Sequence, residues 1–166
     1  MRKQPAQLKG RREKQLGFSL IELLIVVTVI LIISAIAIPN FIRSRMRANE
    51  TAAVQNLRNI TTANTVYLTT YGIGFSDSLT KLGGNAVLPN STAAGLIDSV
   101  LSAGIKTGYS FTYAVSATAG SQVVGYTITA EPTNFGATGE RYFFTDQSCI
   151  IRQNTTGPAV ATDTPI

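Results

Sequence analysis

The chain has 166 residues, 45% of them hydrophobic, with a formal net charge of +5, no histidine, no tryptophan and one cysteine. Without histidine there is no imidazole base or metal ligand, and with Cys149 alone there is no intramolecular disulfide. The charge is concentrated rather than spread: residues 18–166 hold eight bases and eight acids, so the excess belongs to the N-terminus and does not indicate a specific nucleic-acid partner.

Residues 1–17 carry Arg2, Lys3, Lys9, Arg11, Arg12 and Lys14 against Glu13. By the positive-inside rule this segment stays in the cytoplasm and the remainder is exported. An apolar run follows from Phe18 to Ile38, interrupted only by Ser19, Glu22, Thr28 and Ser34. As a helix its 21 residues cover roughly 31 Å, enough to cross a bilayer's hydrocarbon core. Glu22 is a carboxylate inside that run, and ionisable groups in membrane spans are functional by default. An ordinary secretory signal has its apolar core before the cleavage point. Here the processing point, Gly17 followed by Phe18, precedes the core, so cleavage removes the basic leader and leaves the span on the mature protein. A competing site, Ala35-Ile36-Ala37, fits signal peptidase and would release a soluble exported domain. Against it, the run is longer than a signal core, contains Glu22, and would leave Pro39 two residues beyond the cut. Retaining the span as a permanent anchor for a periplasmic binding domain is a third reading.

The basic leader, Gly17, the stretch Phe18-Ser19-Leu20-Ile21-Glu22-Leu23-Leu24 and the later Ala37-Ile38-Pro39 resemble the N-terminal signature of type IV pilins and pseudopilins. The resemblance is close over about residues 15–45, and elsewhere extends only to general layout. It implies a prepilin peptidase that cuts after Gly17 and methylates the new amine on Phe18. It also implies that Glu22 is the assembly glutamate and Pro39 the helix-bending proline. The protein would be a single-pass inner-membrane precursor with a cytoplasmic leader, later built into an extracellular pilus or a periplasmic pseudopilus. Its partners would be further copies of itself, the peptidase, the pilus or type II secretion assembly machinery, and inner-membrane lipid before assembly. Many type IV pilins close their C-terminal region with a disulfide, and this chain departs from them there. The runner-up is a pseudopilin of a type II secretion system. Major pseudopilins typically carry a calcium loop of clustered acids and a Pro-Trp-Gly segment. This chain has no tryptophan and only Asp146 and Asp163 beyond Glu140, which favours the pilin side.

Helical periodicity continues through 39–71. Met46, Ala53, Leu57, Ile60, Tyr67 and Tyr71 fall on one face, and Gly72 and Gly74 supply a stop. Pro39 removes one hydrogen bond and is expected to kink the helix. The face around Leu57, Ile60 and Tyr67 is the expected core contact, with Glu50 among the polar residues placed around the rest. Arg43, Arg45 and Arg47 read either as headgroup and solvent contacts or as pairing groups for neighbouring subunits. Residues 72–108 form a glycine-rich connection with one short helical cluster at Leu96–Leu101; no lysine follows the glycines in phosphate-loop spacing, so they read as turns. From Tyr109 the period becomes two, as strands require. Strands are expected at Tyr109–Ser116, Val124–Ala130, Arg141–Thr145 and Cys149–Arg152, within a sheet region at 109–153, and 154–166 reads as a mobile tail. Cys149, flanked by Ile150 and Ile151, is expected to pack as a small buried hydrophobe.

The expected fold is thus α+β, one long N-terminal helix against an antiparallel sheet of about four strands. No Ser/His/Asp set, metal-ligand cluster, close carboxylate pair or phosphate loop with lysine occurs. Asp146 reads as a structural turn residue. No enzymatic activity, cofactor or metal is expected, and function is expected to lie in assembly and surface contact.

Overall fold

The computed structural model describes residues 17–84 and 88–166, so residues 1–16 of the basic leader lie outside the described part. Helix α1 runs from Leu20 to Tyr71, and the chain divides into two compact units, Met1–Pro39 and Asn40–Ile166. In the first unit α1 starts at Leu20 because Ser19 is its N-cap; its backbone N–H donates to the Glu22 carboxylate (3.0 Å) and its carbonyl accepts from Leu23 N–H (3.2 Å). The Thr28 hydroxyl donates to the Leu24 carbonyl (2.7 Å), so this polar group of the apolar run is satisfied within its own helix.

The second unit is α+β. After α1 come α2 (Leu79–Leu82), α3 (Ser99–Ser102) and six strands: β1 (Ile105–Lys106), β2 (Tyr109–Ala119), β3 (Gln122–Pro132), β4 (Tyr142–Asp146), β5 (Arg152–Asn154) and β6 (Thr164–Pro165). Each strand pairs antiparallel with its neighbours in chain order, giving one open sheet. The β2–β3 hairpin closes through the two-residue loop Gly120-Ser121, where Gly120 takes the positive φ such tight turns need.

The helix face read from periodicity is the one that packs. Ala53, Leu57, Ile60, Ala63 and Tyr67 are buried against Tyr109, Phe111, Tyr126, Ile128, Ala130, Phe143 and Ile151 of the sheet side. Alternation places Tyr109 and Phe111 inward, and Tyr113 is half-buried and stacked on Tyr126 at 5.5 Å between ring centroids. Burial raises the phenol pKa of Tyr109, Tyr113 and Tyr126 well above its usual value. Within this core Asn64 is a polar strut: its Oδ1 accepts from Ser76 N–H and from the Tyr113 hydroxyl (both 3.2 Å), fixing the 72–76 turn to the sheet.

The connection is more ordered than its glycines suggest. Asp98 caps α3 by accepting from Leu101 N–H (3.0 Å) and pairs with Lys106 (2.7 Å), which holds its carboxyl below the usual range. Gly83 is required by proximity rather than by a turn alone, since a Cβ there would lie 2.4 Å from Ser102 Cβ.

Four expectations are corrected. The sheet has six strands, two of them short edge strands of two residues that carry no period to read. The segment after Asn154 is not a structureless tail: Ala159 is buried, β6 pairs with β5, and the Asp163 carboxylate accepts from Asn154 Nδ2 (3.1 and 3.2 Å) and Val160 N–H (2.7 Å). Cys149 is exposed, because it occupies a left-handed turn position (φ 60°) after Asp146, while Ile151 takes the buried place. Strand β5, which stands where Cys149–Arg152 was expected, accordingly begins at Arg152.

Glu50 is the fourth correction, because it is buried at 5% exposure. Its Oε1 accepts from Glu140 N–H (2.9 Å), and its Oε2 accepts from Nε and Nη2 of Arg141 (both 2.8 Å). Arg141 also donates from Nη1 to Gln153 Oε1 (2.9 Å) and lies over the Phe143 ring. The neighbouring Asn49 donates to the Thr138 carbonyl (2.9 Å), so two adjacent helix residues hold the whole 133–141 loop. Removing a buried carboxylate strands an amide and a guanidinium. Glu50→Ala is therefore expected to destabilise residues 40–166 by about 2–4 kcal/mol in denaturant unfolding, discounted for the partial exposure of Arg141. Adding Arg141→Ala should cost much less than the sum of the single changes.

The exposed Cys149 gives a second expectation. Its thiol should react fully with a maleimide while the protein is folded, and Cys149→Ser should change stability by less than about 0.5 kcal/mol.

Candidate assembly and processing site

Gly17 and Phe18 precede the helix and are open to solvent, Phe18 at 86% exposure. A Cβ built on Gly17 meets nothing within 4 Å, and no positive φ is needed there. Among the described residues the fold therefore gives no steric reason for glycine at this position. The Phe18 nitrogen is a peptide amide here; it becomes an amine only when the preceding bond is cut.

Ser19 and Glu22 form half of a capping box, the Ser-x-x-Glu arrangement in which the third helical residue reaches back to the cap's N–H. This fixes the Glu22 carboxylate over the first turn, where the helix dipole favours negative charge. Oε2 carries the bond to Ser19, while Oε1 has no partner among the described residues. The spacing was visible in the sequence, but the Ser19–Glu22 bond was not read from it. Pro39 lies within α1 seventeen positions beyond Glu22, so the structure brings together Phe18, Ser19 and Glu22 and leaves Pro39 apart.

Between Leu20 and Ile42 the large apolar side chains stand exposed, from Leu20 at 83% to Ile42 at 43%. An 18-residue window of α1 reaches a mean hydropathy of 3.0 with none of it buried. By length and composition this stretch is a candidate membrane span, and among the described residues nothing buries it. Among the described residues no three His, Cys, Asp or Glu side chains gather as a metal site. The turn residue Asp146 spends Oδ1 on the N–H and hydroxyl of Ser148.

Exposed Gly17 and Phe18, a carboxylate fixed in the first turn and an apolar helix uncovered among the described residues are features that the N-terminal resemblance implies. Residues 12–38 match the family model described as the prokaryotic N-terminal methylation motif. The chain carries that motif. The chain is also similar to the type IV major pilin protein PilA of Myxococcus xanthus, 53% identical over 47 residues, covering 28% of this chain and 21% of that protein. It is 49% identical over 43 residues to the type IV wide pilus major component PilA4 of Thermus thermophilus, covering 26% of this chain and 33% of that protein. The matched stretches thus span a fifth to a third of these relatives. No solved structure matches the chain significantly.

Proposed function

We propose that the chain is the structural subunit of a type IV pilus-like filament. The observation that carries this reading is the uncovered apolar half of α1 with a single carboxylate held in its first turn. A prepilin peptidase cuts after Gly17 and methylates the amine of Phe18. Until then the precursor is held in the inner membrane by Phe18–Ile38 with its leader in the cytoplasm. On extraction, the helix exchanges lipid for the helices of other copies, and the free Oε1 of Glu22 receives the Phe18 ammonium of a neighbour. Pro39, which offers no N–H to the ladder, is the place where the helix can bend during packing. The same N-terminus would serve a type II secretion pseudopilus; the pilus names of both relatives favour the pilus.

The magnitudes assign different roles to the parts. Lipid tails are as apolar as leucine, so moving the run from bilayer to filament gains little hydrophobic free energy. Specificity then falls to packing and to the ammonium–carboxylate pair, which is tolerable when paired but roughly 3–5 kcal/mol unfavourable when one partner is missing. Glu22→Gln isolates this charge, because glutamine keeps an oxygen for the Ser19 N–H and so preserves the helix start. The variant is expected to be exported, inserted and cleaved, yet to yield little sheared surface filament and to be under-represented in filaments grown with wild-type subunits. Normal filament yield from Glu22→Gln alone would contradict the pairing.

A further inference from the structure

Just beyond Pro39, within the second unit, a groove of about 940 Å³ opens between α1 and the 133–141 loop. Arg43 and Arg47, one helical turn apart, line it with Met46, Phe135, Glu140 and Thr155. Glu50 and Arg141 also line it, but they are committed to each other. Neither Arg43 nor Arg47 has an ion-pair partner among the described residues, and both are exposed. Arg45, which lies between them in sequence, is not part of the groove's lining.

The position of the groove along the chain limits its occupant. Arg43 follows Ile38, the last residue of the apolar run, by five residues. At the helical rise this is about 7 Å, and even fully extended chain reaches no more than about 18 Å. The headgroup layer extends roughly 5–8 Å beyond the hydrocarbon core on each side. Two unpaired guanidiniums one turn apart match a phosphodiester, which accepts paired N–H donors from arginine. The exposed Glu140 carboxylate at the rim opposes an anion, but it is one charge against two.

We propose that this groove binds the phosphodiester headgroup of an anionic phospholipid in the outer leaflet of the membrane that holds the subunit. The groove would then set the depth at which the membrane-held subunit rests, and the contact would be surrendered on assembly. The proposal rests on the reading of Phe18–Ile38 as a membrane span.

The test uses the full chain in detergent, titrated with dispersed phosphatidylglycerol, phosphatidylcholine or inorganic phosphate, with bound adducts counted by native mass spectrometry. Phosphatidylglycerol should bind in preference to phosphatidylcholine, and Arg43→Gln/Arg47→Gln should weaken it roughly tenfold, while Arg45→Gln should leave it nearly unchanged. Equal binding of the two lipids, an unaffected double variant, or an equal loss in Arg45→Gln would overturn the proposal. Inorganic phosphate binding as tightly as the lipid would also overturn it, by making the groove a free-anion site. A double variant that binds lipid normally yet fails to form filaments would assign the groove to a neighbouring subunit's acidic side chain instead. Resistance of the chain to alkaline extraction from phosphatidylcholine vesicles is measured in parallel. If the chain is extracted, the span reading fails; if it resists extraction without lipid preference, only the groove proposal fails.

Discussion

The governing constraint is that the apolar half of α1 is left uncovered by the described residues. From Leu20 to Ile42 its apolar side chains are exposed, whereas from Ala53 to Tyr67 the same helix buries a face in the domain core. A helix that is apolar on every side is stable only in lipid or among other helices, so the first half carries an obligation to an environment that the second half does not share. Charge is distributed accordingly. Between Glu22 and Glu50 the only charged residues are Arg43, Arg45 and Arg47, all just past the apolar run.

Two carboxylates on α1 show how burial changes the meaning of one residue type. Glu50 is covered by its own domain and fully engaged, so it fastens the 133–141 loop and has nothing left to offer a partner. Glu22 is uncovered and half engaged, with one oxygen on Ser19 and the other free among the described residues. The first is a structural clasp, and the second keeps an oxygen for the cation of the proposed pairing. In the proposed pairing, the cap would orient Glu22 in advance and so lower the ordering entropy to be overcome.

Much of this was legible in the sequence where a period or a charge count carried it. The Leu57, Ile60 and Tyr67 stripe predicted the buried helix face, and the alternation from Tyr109 predicted inward Tyr109 and Phe111. Both signals are set by local geometry that repeats over several turns or strand pairs. Glu50 was not legible, because its partners lie about 90 residues away and the helix pattern only marks it as polar. Cys149 misled because apolar neighbours suggest burial, while one left-handed turn residue rotated it outward. The Asp163 clasp was hidden by composition: a polar segment with Gly157, Pro158 and Pro165 reads as loose, yet the Asp163 carboxylate, β5–β6 pairing and buried Ala159 hold it. At the N-terminus the motif was readable, but the Ser19–Glu22 bond needed coordinates to establish which Glu22 oxygen is occupied.

The most direct test of the account is the intact mass of the mature protein recovered from its native host. The account predicts a chain that begins at Phe18 and carries one added methyl group on its N-terminal amine. A mature chain beginning at Ile38, or an uncut chain retaining residues 1–17, would contradict it.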